Sequence, residues 1–338
     1  MGLARVFADL VPLAATAALS FLLTGLAAWY ARRRGMLDHP GERHSHRVAT
    51  PRGGGVGLVL ALAIATATWA APASTPGWLA CVAPCALALA ALGWWDDHRS
   101  LGAALRFFVQ LAVSLGLVAC AAMAGWLQGA PMMLVGLVFL LWMSNLYNFM
   151  DGSNGMAGLQ GVFAAIVTAW LFHGAGDAAS AGFCLFLAAA CAGFLPWNLG
   201  RARVFMGDVG SLFLGFLIAA LLLYGVASGK IGAAPALLVM AVFLVDASLT
   251  LAGRVLRGER WYNAHRQHLY QRLIAHGWPH GRVAALYQAI NLSLVLPAIW
   301  VADRFPVLAW PVALLTGSVL GLGWYVLTRK IRMLAKAG

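Results

Sequence analysis

The sequence predicts an all-α, polytopic integral membrane protein, and three observations lead to this fold class. Hydrophobic residues make up 62% of the 338 residues and charged residues only 10%, against about 25% charged residues in soluble domains. The mean hydropathy is +0.81. The apolar stretches run for roughly 17 to 22 residues, enough for a helix to cross a hydrocarbon core of about 30 Å.

Eleven apolar segments are long enough to cross a membrane, and we expect them to form a single domain that covers residues 1–338. The first segment runs into three arginines without a small-residue cleavage site, so we expect a retained helix rather than a signal peptide. In chain order the segments are roughly 10–30, 55–72, 78–95, 106–124, 132–149, 158–174, 180–196, 211–227, 233–252, 283–302 and 308–327.

Lys and Arg are distributed unevenly between the two sets of loops. By the positive-inside rule the richer loops face the cytoplasm, which places the N-terminus outside and the C-terminus inside. The net charge of +12 is therefore concentrated on one face, where it can contact anionic lipid headgroups or attract an anionic substrate. The rich segments are 31–54, 96–105, 197–210, 253–282 and 328–338, whereas the opposite loops carry only Arg5, Lys230 and Arg304.

The cysteines all lie inside predicted helices. They lack zinc-type spacing and have no partner in a loop, so we expect them to contribute to packing alone. They are Cys81, Cys85, Cys120, Cys184 and Cys191.

Two adjacent carboxylates, Asp96 and Asp97, end the third predicted helix on its cytoplasmic side. Carboxylates at a helix C-terminus oppose the macrodipole, at a cost of about 0.3–1 kcal/mol. The pair therefore indicates a partner, either a bound cation or a basic side chain such as Arg99 or Arg106. A solvated turn is the alternative.

The motif NLYNFMDGSNGMAG ends the fifth predicted helix at the same side. Asn145, Asn148, Asp151 and Asn154 recur at a spacing of three, which places amides and a carboxylate on one helix face. A turn with an Asx cap explains the last two residues but not the two asparagines that reach back into the membrane. Polar residues at that depth usually mark a functional site.

Asp208, in RVFMGDVGSLFLG, enters the eighth predicted helix. It is either an N-cap or part of a helix N-terminus that binds phosphate.

The first loop, with Arg47 in HRVATPRGGG, offers basic residues for a diphosphate but does not match a nucleotide-binding P-loop.

The longest predicted cytoplasmic loop contains His265, Arg266 and His268 in the run AHRQH. Histidine in such a cluster suits phosphate contact, acid–base work or metal binding. Asp246 lies inside the ninth predicted helix, and we expect it to form a structural ion pair with Arg254 or Arg257.

Together, WWDDHRS, NLYNFMDGSNGMAG, VFMGDVGSLFLG and AHRQH resemble, in this order, the motifs of the polyprenyl-phosphate N-acetylhexosamine-1-phosphate transferases. This superfamily includes phospho-MurNAc-pentapeptide translocase and the GlcNAc-1-phosphate transferases that start bacterial surface glycans. The resemblance spans roughly residues 32–272. NLYNFMDG and the HRxHxYQR run are most similar to the branch that initiates O-antigen synthesis.

The resemblance implies a reaction in the bacterial inner membrane. Undecaprenyl phosphate attacks the β-phosphate of a UDP-N-acetylhexosamine, giving polyprenyl-diphospho-sugar and UMP, with Mg²⁺ required and Mn²⁺ as the alternative ion. We expect a direct attack, and the alternative is that an Asp first forms a covalent phospho-sugar intermediate. The expected partners are these two substrates and membrane lipid, without nucleic acid. The accepted sugar and the oligomeric state are left open, a homodimer being among the alternatives.

The resemblance also implies roles for individual residues. Asp208 is expected to be the principal metal ligand together with Asp97. Asp96 and Asp97 are expected to activate the lipid phosphate or help to place the metal. His265 and His268 complete the catalytic set by contacting phosphate.

The implied substrate-binding residues are Arg47, Asn148, Asp151, Asn154 and Arg266. Many members of the superfamily carry an aspartate at the position of Asn154. Asparagine can still hydrogen-bond a uracil edge but cannot supply charge, so the nucleotide contacts at this position are expected to differ.

Two other classes of function are compatible with a polytopic chain. A secondary transporter would place its coupling groups near the bilayer midplane, whereas these carboxylates lie at helix ends. A non-catalytic scaffold would leave four interfacial carboxylates without a task.

Overall fold

A computed structural model of the chain describes residues 3–38, 49–69, 76–260 and 265–337. These residues are almost entirely helical. The exception is a short antiparallel ribbon of β1 (Leu37–Asp38) and β2 (Thr50–Pro51). The helices are α1 Leu3–Arg34, α2 Gly55–Trp69, α3 Leu79–His98, α4 Ala103–Met123, α5 Ala130–Met150, α6 Met156–Gly174, α7 Ala178–Asn198, α8 Asp208–Ala227, α9 Ala233–Val239, α10 Ala241–Leu256, α11 Leu269–Ala275, α12 His280–Ile290, α13 Leu296–Arg304 and α14 Ala309–Ala337.

The helices confirm a multi-pass, α-helical membrane protein. Within the described ranges nine helical segments are long and apolar enough to cross a membrane, and the α9–α10 pair is a tenth if it counts as one bent span. α12 and α13 belong to one such segment, joined by a π-helical turn, Asn291–Val295. α2 is apolar but shorter than the others. The exact number of spans, the orientation of the termini and the single-domain organisation stay predictions.

The ninth predicted segment, 233–252, is two helices rather than one. α9 and α10 are bent by 77° around Met240, which has φ −110° and ψ 12°. Gln160 Nε2 donates to the Val239 carbonyl at 3.2 Å, so a polar side chain from α6 satisfies a carbonyl at the break. No proline or glycine occurs between residues 236 and 252, and the apolar pattern therefore gave no sign of the bend.

α8 is the central helix of the fold, packed against α2, α3 and α5. Nearly all of its side chains are buried. Glycines let α3 approach it closely, since a Cβ added at Gly93 would lie 2.3 Å from the backbone carbon and oxygen of Asp208. This close packing brings the C-terminal end of α3 to the N-terminal end of α8, where the polar motifs meet.

Cys81 and Cys120 form a disulfide that joins α3 to α4. The prediction that every cysteine serves packing alone is therefore wrong for this pair. α3 and α4 are antiparallel neighbours, so residues 39 positions apart in sequence meet with their Cα atoms 5.6 Å from each other. Cys85, Cys184 and Cys191 are free thiols in the helical bundle.

Candidate active site

Three helix ends meet at one point and carry most of the predicted site residues. Asp97 comes from the last turn of α3 and Asp208 from the first turn of α8, while Asn148 and Asp151 come from the end of α5. All four line a cleft of about 170 Å³. Residues that are up to 111 positions apart in sequence are therefore brought into one space.

Asp97 caps α8 from a different helix. Its Oδ1 accepts the backbone N–H of Asp208 at 3.1 Å, and its Oδ2 accepts that of Val209 at 3.2 Å. The N-cap position itself is Gly207, which makes no side-chain bond and whose φ of 75° suits glycine. The N-cap alternative for Asp208 is thus wrong, because Asp97 supplies the capping oxygens.

Arg52 closes the end of α3. Its Nε and Nη2 donate to the Asp97 carbonyl at 3.0 and 2.8 Å, and Nη2 also donates to the Asp96 carbonyl at 3.1 Å. These are carbonyls that a helix C-terminus leaves free. The Arg52 guanidinium also lies 3.8 Å from Asp97 Oδ1. Sequence reasoning missed this residue, although an arginine directly before the GGG entry to α2 was a usable signal.

Arg106 joins α4 to the two other helices. Its Nη1 lies 3.0 Å from Asp96 Oδ2 and 3.1 Å from Asp208 Oδ2. Asp96 also accepts the backbone N–H of Leu101 through Oδ1. The prediction that a basic side chain such as Arg106 compensates the adjacent carboxylates is confirmed for Asp96, whereas the cation beside Asp97 is Arg52. The Arg106 guanidinium also orients Asp208.

The amide face of α5 divides into two parts. Asn148 Nδ2 donates to Asp208 Oδ1 and to Ser211 Oγ, both at 2.9 Å, so Asn148 belongs to the cleft. Asn145 instead donates to Gln110 of α4 at 2.6 Å, which is a packing contact between helices.

Asp151 and Asn154 follow α5 in the turn that borders the cleft. Burial raises the pKa of the Asp151 carboxyl well above its ordinary value, and the nearby carboxylates of Asp208 and Asp97 raise it further. Asn154 donates to the Gly200 carbonyl at 2.8 Å, tying this turn to the segment after α7. Asn154 therefore has a structural contact besides its place on the cleft wall.

A wider basic cleft of about 970 Å³ adjoins the acidic one. Asn154 and Phe205 line both. The volume falls in the range of small-molecule sites, about 300–1,000 Å³. Its basic lining consists of Arg32, Arg201, Arg203 and His280.

The donor set of the acidic cleft suits a hard divalent cation. Its side chains offer carboxylate and amide oxygens, the ligands that Mg²⁺ prefers. In the part of the chain that the structure describes, no three His, Cys, Asp or Glu side chains could hold a metal by themselves. Mg²⁺ sites in phosphoryl transfer commonly use one or two carboxylates plus substrate phosphates. Asp208, 24% exposed, is more accessible than Asp97, 2% exposed.

The sequence of the chain matches a known protein family. Residues 79–226 match glycosyl transferase family 4. The chain is 31% identical over 313 residues to a decaprenyl-phosphate N-acetylglucosaminephosphotransferase of Mycobacterium tuberculosis, covering 80% of this chain and 76% of the relative. The chain belongs to glycosyl transferase family 4.

Two further relatives agree with this family. A probable undecaprenyl-phosphate N-acetylglucosaminyl 1-phosphate transferase of Bacillus subtilis is 24% identical over 82% of this chain and 80% of its own length. A phospho-N-acetylmuramoyl-pentapeptide-transferase of Synechococcus is 34% identical over 61% of this chain and 64% of its own length. The likeness to polyprenyl-phosphate N-acetylhexosamine-1-phosphate transferases is confirmed.

The histidine motif of this family 4 transferase lies beside the cleft rather than in it. The His268 ring is 6.1 Å from that of Phe149, the neighbour of Asn148, and 4.9 Å from that of His265. Among the described residues, neither imidazole hydrogen-bonds a carboxylate of the cleft. Burial lowers the pKa of His265 to about 4 and also lowers the pKa of His268. Both shifts favour the neutral imidazole.

The two predicted basic residues are placed differently. Arg266 is exposed beside the histidines and is not among the residues that line the two clefts. Arg47 lies outside the described residues, so its contact with the nucleotide stays a prediction. The roles of the other site residues also stay predictions, although the structure brings the aspartates and asparagines together.

Proposed function

We propose that this family 4 transferase moves N-acetylhexosamine-1-phosphate from a UDP-sugar to undecaprenyl phosphate. The observation that carries the proposal is the acidic cleft, with Asp97, Asn148, Asp151 and Asp208 on one side, opening beside a larger arginine-lined cleft. The relatives support it, because two of them are named as polyprenyl-phosphate transferases of N-acetylglucosamine phosphate.

The proposed step is a direct displacement. An oxygen of the lipid phosphate attacks the β-phosphorus of the UDP-sugar, and the bond from that phosphorus to the bridging oxygen of the α-phosphate breaks. UMP leaves with the bonding electrons, and a diphosphate now links lipid and sugar. A phosphate dianion is already a nucleophile, so no proton has to be removed from it.

The basic cleft supplies the charge that a UDP-sugar needs. Arg32, Arg201 and Arg203 line a space large enough for a nucleotide-sugar, and guanidinium groups suit phosphate recognition. Phe205 and Asn154 lie where this cleft meets the acidic one. A diphosphate bound there would extend toward Asp208.

Asp208 and Asp97 would hold Mg²⁺, which supplies neutralisation of the two phosphates when it is bound. Arg106 and Asn148 hold the Asp208 carboxylate from two sides. The two backbone N–H groups fix Asp97. The protein thus orients its carboxylates before any ligand binds, which lowers the cost of reorganisation.

The biological setting follows from the two substrates. A prenyl phosphate lies in the membrane and a UDP-sugar in the cytosol, so the cleft is proposed to face the cytoplasm across the bacterial inner membrane. Initiation of O-antigen or another surface glycan is the proposed purpose.

The direct test uses purified protein in detergent, undecaprenyl phosphate, Mg²⁺ and a panel of UDP-N-acetylhexosamines, with UMP as the readout. We expect UMP with at least one sugar, and none after chelation of the metal. Asp208→Asn should abolish transfer while the protein still inserts in the membrane. Asp303→Asn is the control, because Asp303 is an exposed carboxylate of α13 that lines neither cleft. Full turnover by Asp208→Asn would exclude the metal role.

The transporter alternative finds less support. A secondary transporter typically binds its substrate at a broken helix with polar groups near the bilayer midplane. In this structure the bend between α9 and α10 is the candidate for such a site. There Gln160 is fully buried and accepts a bond of 2.7 Å from Asn291. This polar pair is used in joining helices. A failure to release UMP, together with solute uptake in vesicles, would favour the transporter.

A further inference from the structure

A further buried carboxylate, Asp246, lies away from the acidic cleft. Asp246 of α10 is 3% exposed. The expected ion pair with Arg254 or Arg257 is wrong, because both arginines pair with Glu259, at 2.7 and 2.6 Å. Asp246 instead accepts hydrogen bonds from Leu269 N–H at 2.8 Å, Tyr270 N–H at 3.5 Å, Tyr287 Oη at 2.7 Å, Trp324 Nε1 at 3.0 Å and Thr250 Oγ1 at 3.3 Å.

These bonds place Asp246 at the start of α11. Leu269 and Tyr270 are the first two residues of that helix, and their N–H groups are ones that a helix leaves free. The residue immediately before them is His268. A carboxylate on α10 therefore fixes the backbone that presents the histidine motif. The donors from α12 and α14 hold that carboxylate in place.

Tyr270 connects α11 to the acidic cleft. Its Oη donates to the Phe149 carbonyl at 2.9 Å, one residue after Asn148. A Cβ added at Gly152 would lie 2.1 Å from the same oxygen, so the tyrosine presses against the turn that carries Asp151. The His268 ring stacks against the rings of both Phe149 and Tyr270. The imidazole is thus held between α11 and the end of α5.

We infer that Asp246 is a positioning residue for this reaction. It acts through α11 to hold the His268 imidazole in a fixed position beside the cleft residues of α5. Asp246 itself touches no substrate. The inference rests on the proposed function and on the phosphate contact that the family resemblance implies for His268. The alternative role of Asp246 is purely structural, namely to join α10 to α11, α12 and α14 through its hydrogen bonds.

Asp246→Asn is the test variant, because it keeps the volume but turns an amide N–H₂ toward hydrogen-bond donors. We expect kcat for UMP release to fall about tenfold or more while KM for the UDP-sugar changes less than about threefold, since misplacement of a catalytic group acts on the chemical step. Tyr287→Phe removes a single donor and should give a smaller effect in the same direction. Asp303→Asn is the matched control.

A double-mutant cycle separates positioning from general stability. If Asp246 acts through His268, Asp246→Asn should lower kcat by less than about twofold in a His268→Gln background. Equal losses in both backgrounds would overturn the inference, and so would an unchanged kcat. Should Asp246→Asn fail to fold, the same cycle is run with Tyr287→Phe.

A readout that needs no turnover keeps this inference distinct from the proposed function. His268 is 2% exposed, so diethyl pyrocarbonate should modify it slowly, as followed by peptide mass spectrometry. Asp246→Asn should speed this modification several-fold without changing that of the exposed His98. If the wild-type protein releases no UMP, the proposed function fails. If His268 protection is the same in both proteins, the positioning claim fails.

Discussion

Gly93→Ala tests whether the close approach of α3 and α8 creates the acidic cleft. The added methyl would lie 2.3 Å from the Asp208 carbonyl carbon and oxygen and 2.5 Å from the Val209 nitrogen. These are backbone atoms, so no side chain can rotate away. Carbon atoms in contact are about 3.5–4.0 Å apart, and the two helices would therefore separate by about 1.2 Å or more.

The separation has a calculable effect on the cleft. The bonds from Asp97 to the backbone N–H groups of Asp208 and Val209 measure 3.1 and 3.2 Å, so a shift of this size breaks both. Overpacking costs about 1–3 kcal/mol, and bonds to a charged group contribute about 1.5–3 kcal/mol each. Better helix propensity of alanine offsets about 1 kcal/mol. We expect a net loss of about 3–8 kcal/mol of stability.

The functional loss should exceed what the stability change explains. Misplacement of catalytic groups by about 1 Å can lower a rate about a hundredfold, and we expect UMP release to fall by that order at a temperature where the variant stays folded. Gly116→Ala is the control, since a Cβ at this exposed helical glycine of α4 meets no atom within 4 Å. Near wild-type turnover by Gly93→Ala would refute the reasoning, as would equal losses in both variants.

Three further predictions concern charge, topology and pH. Arg106→Gln should lower UMP release at least about tenfold, because it leaves the carboxylates of Asp96 and Asp208 without the cation between them. An effect below twofold would show that this ion pair contributes no more than an ordinary surface salt bridge. A membrane-impermeant reductant applied to intact cells should open the Cys81–Cys120 bond, raising the alkylated cysteines found by mass spectrometry from three to five; access only from the cytoplasm would reverse the orientation. Because the pKa of His265 is lowered to about 4, the unfolded chain binds a proton that the folded chain does not as pH falls from about 6.5 to 4. The melting temperature in detergent should therefore decrease from pH 7 to pH 5, and less so in His265→Gln.

The sequence predicted the class of fold because long apolar segments have few other solutions in a membrane. The eleven predicted segments coincide with helices or helix pairs in the described chain. The ends of the helices and the breaks within them were harder to predict from the sequence. The bend at Met240 depends on a hydrogen bond from Gln160, about 80 residues away in sequence, and α11 is stabilised by Asp246 from another helix. Such long-range partners leave no local periodicity.

The site residues that could be predicted are those whose polar side chains stand out within a single sequence motif. Asp97, Asn148, Asp151 and Asp208 stand out because carboxylates and amides are rare at helix ends in an apolar chain. Arg52 was less visible, because its guanidinium contacts backbone carbonyls of a helix 45 residues away. The disulfide was missed for the same reason, since the pairing of α3 with α4 has to be known first. The proposed reaction rests on family likeness, whereas only geometry showed which side chains support others.

Asp97 illustrates how the two kinds of information combine. At the C-terminus of α3 its charge is unfavourable for that helix, and the sequence argument therefore required a compensating partner. Part of the compensation is the N-terminus of α8, where free N–H groups and the positive end of the dipole favour a carboxylate. Arg52 binds the α3 carbonyls on the other side. One carboxylate thus joins two oppositely directed helix ends, and the same contact places Asp208 at the cleft. A charge that costs stability in its own helix is therefore retained because it assembles the site from two helices.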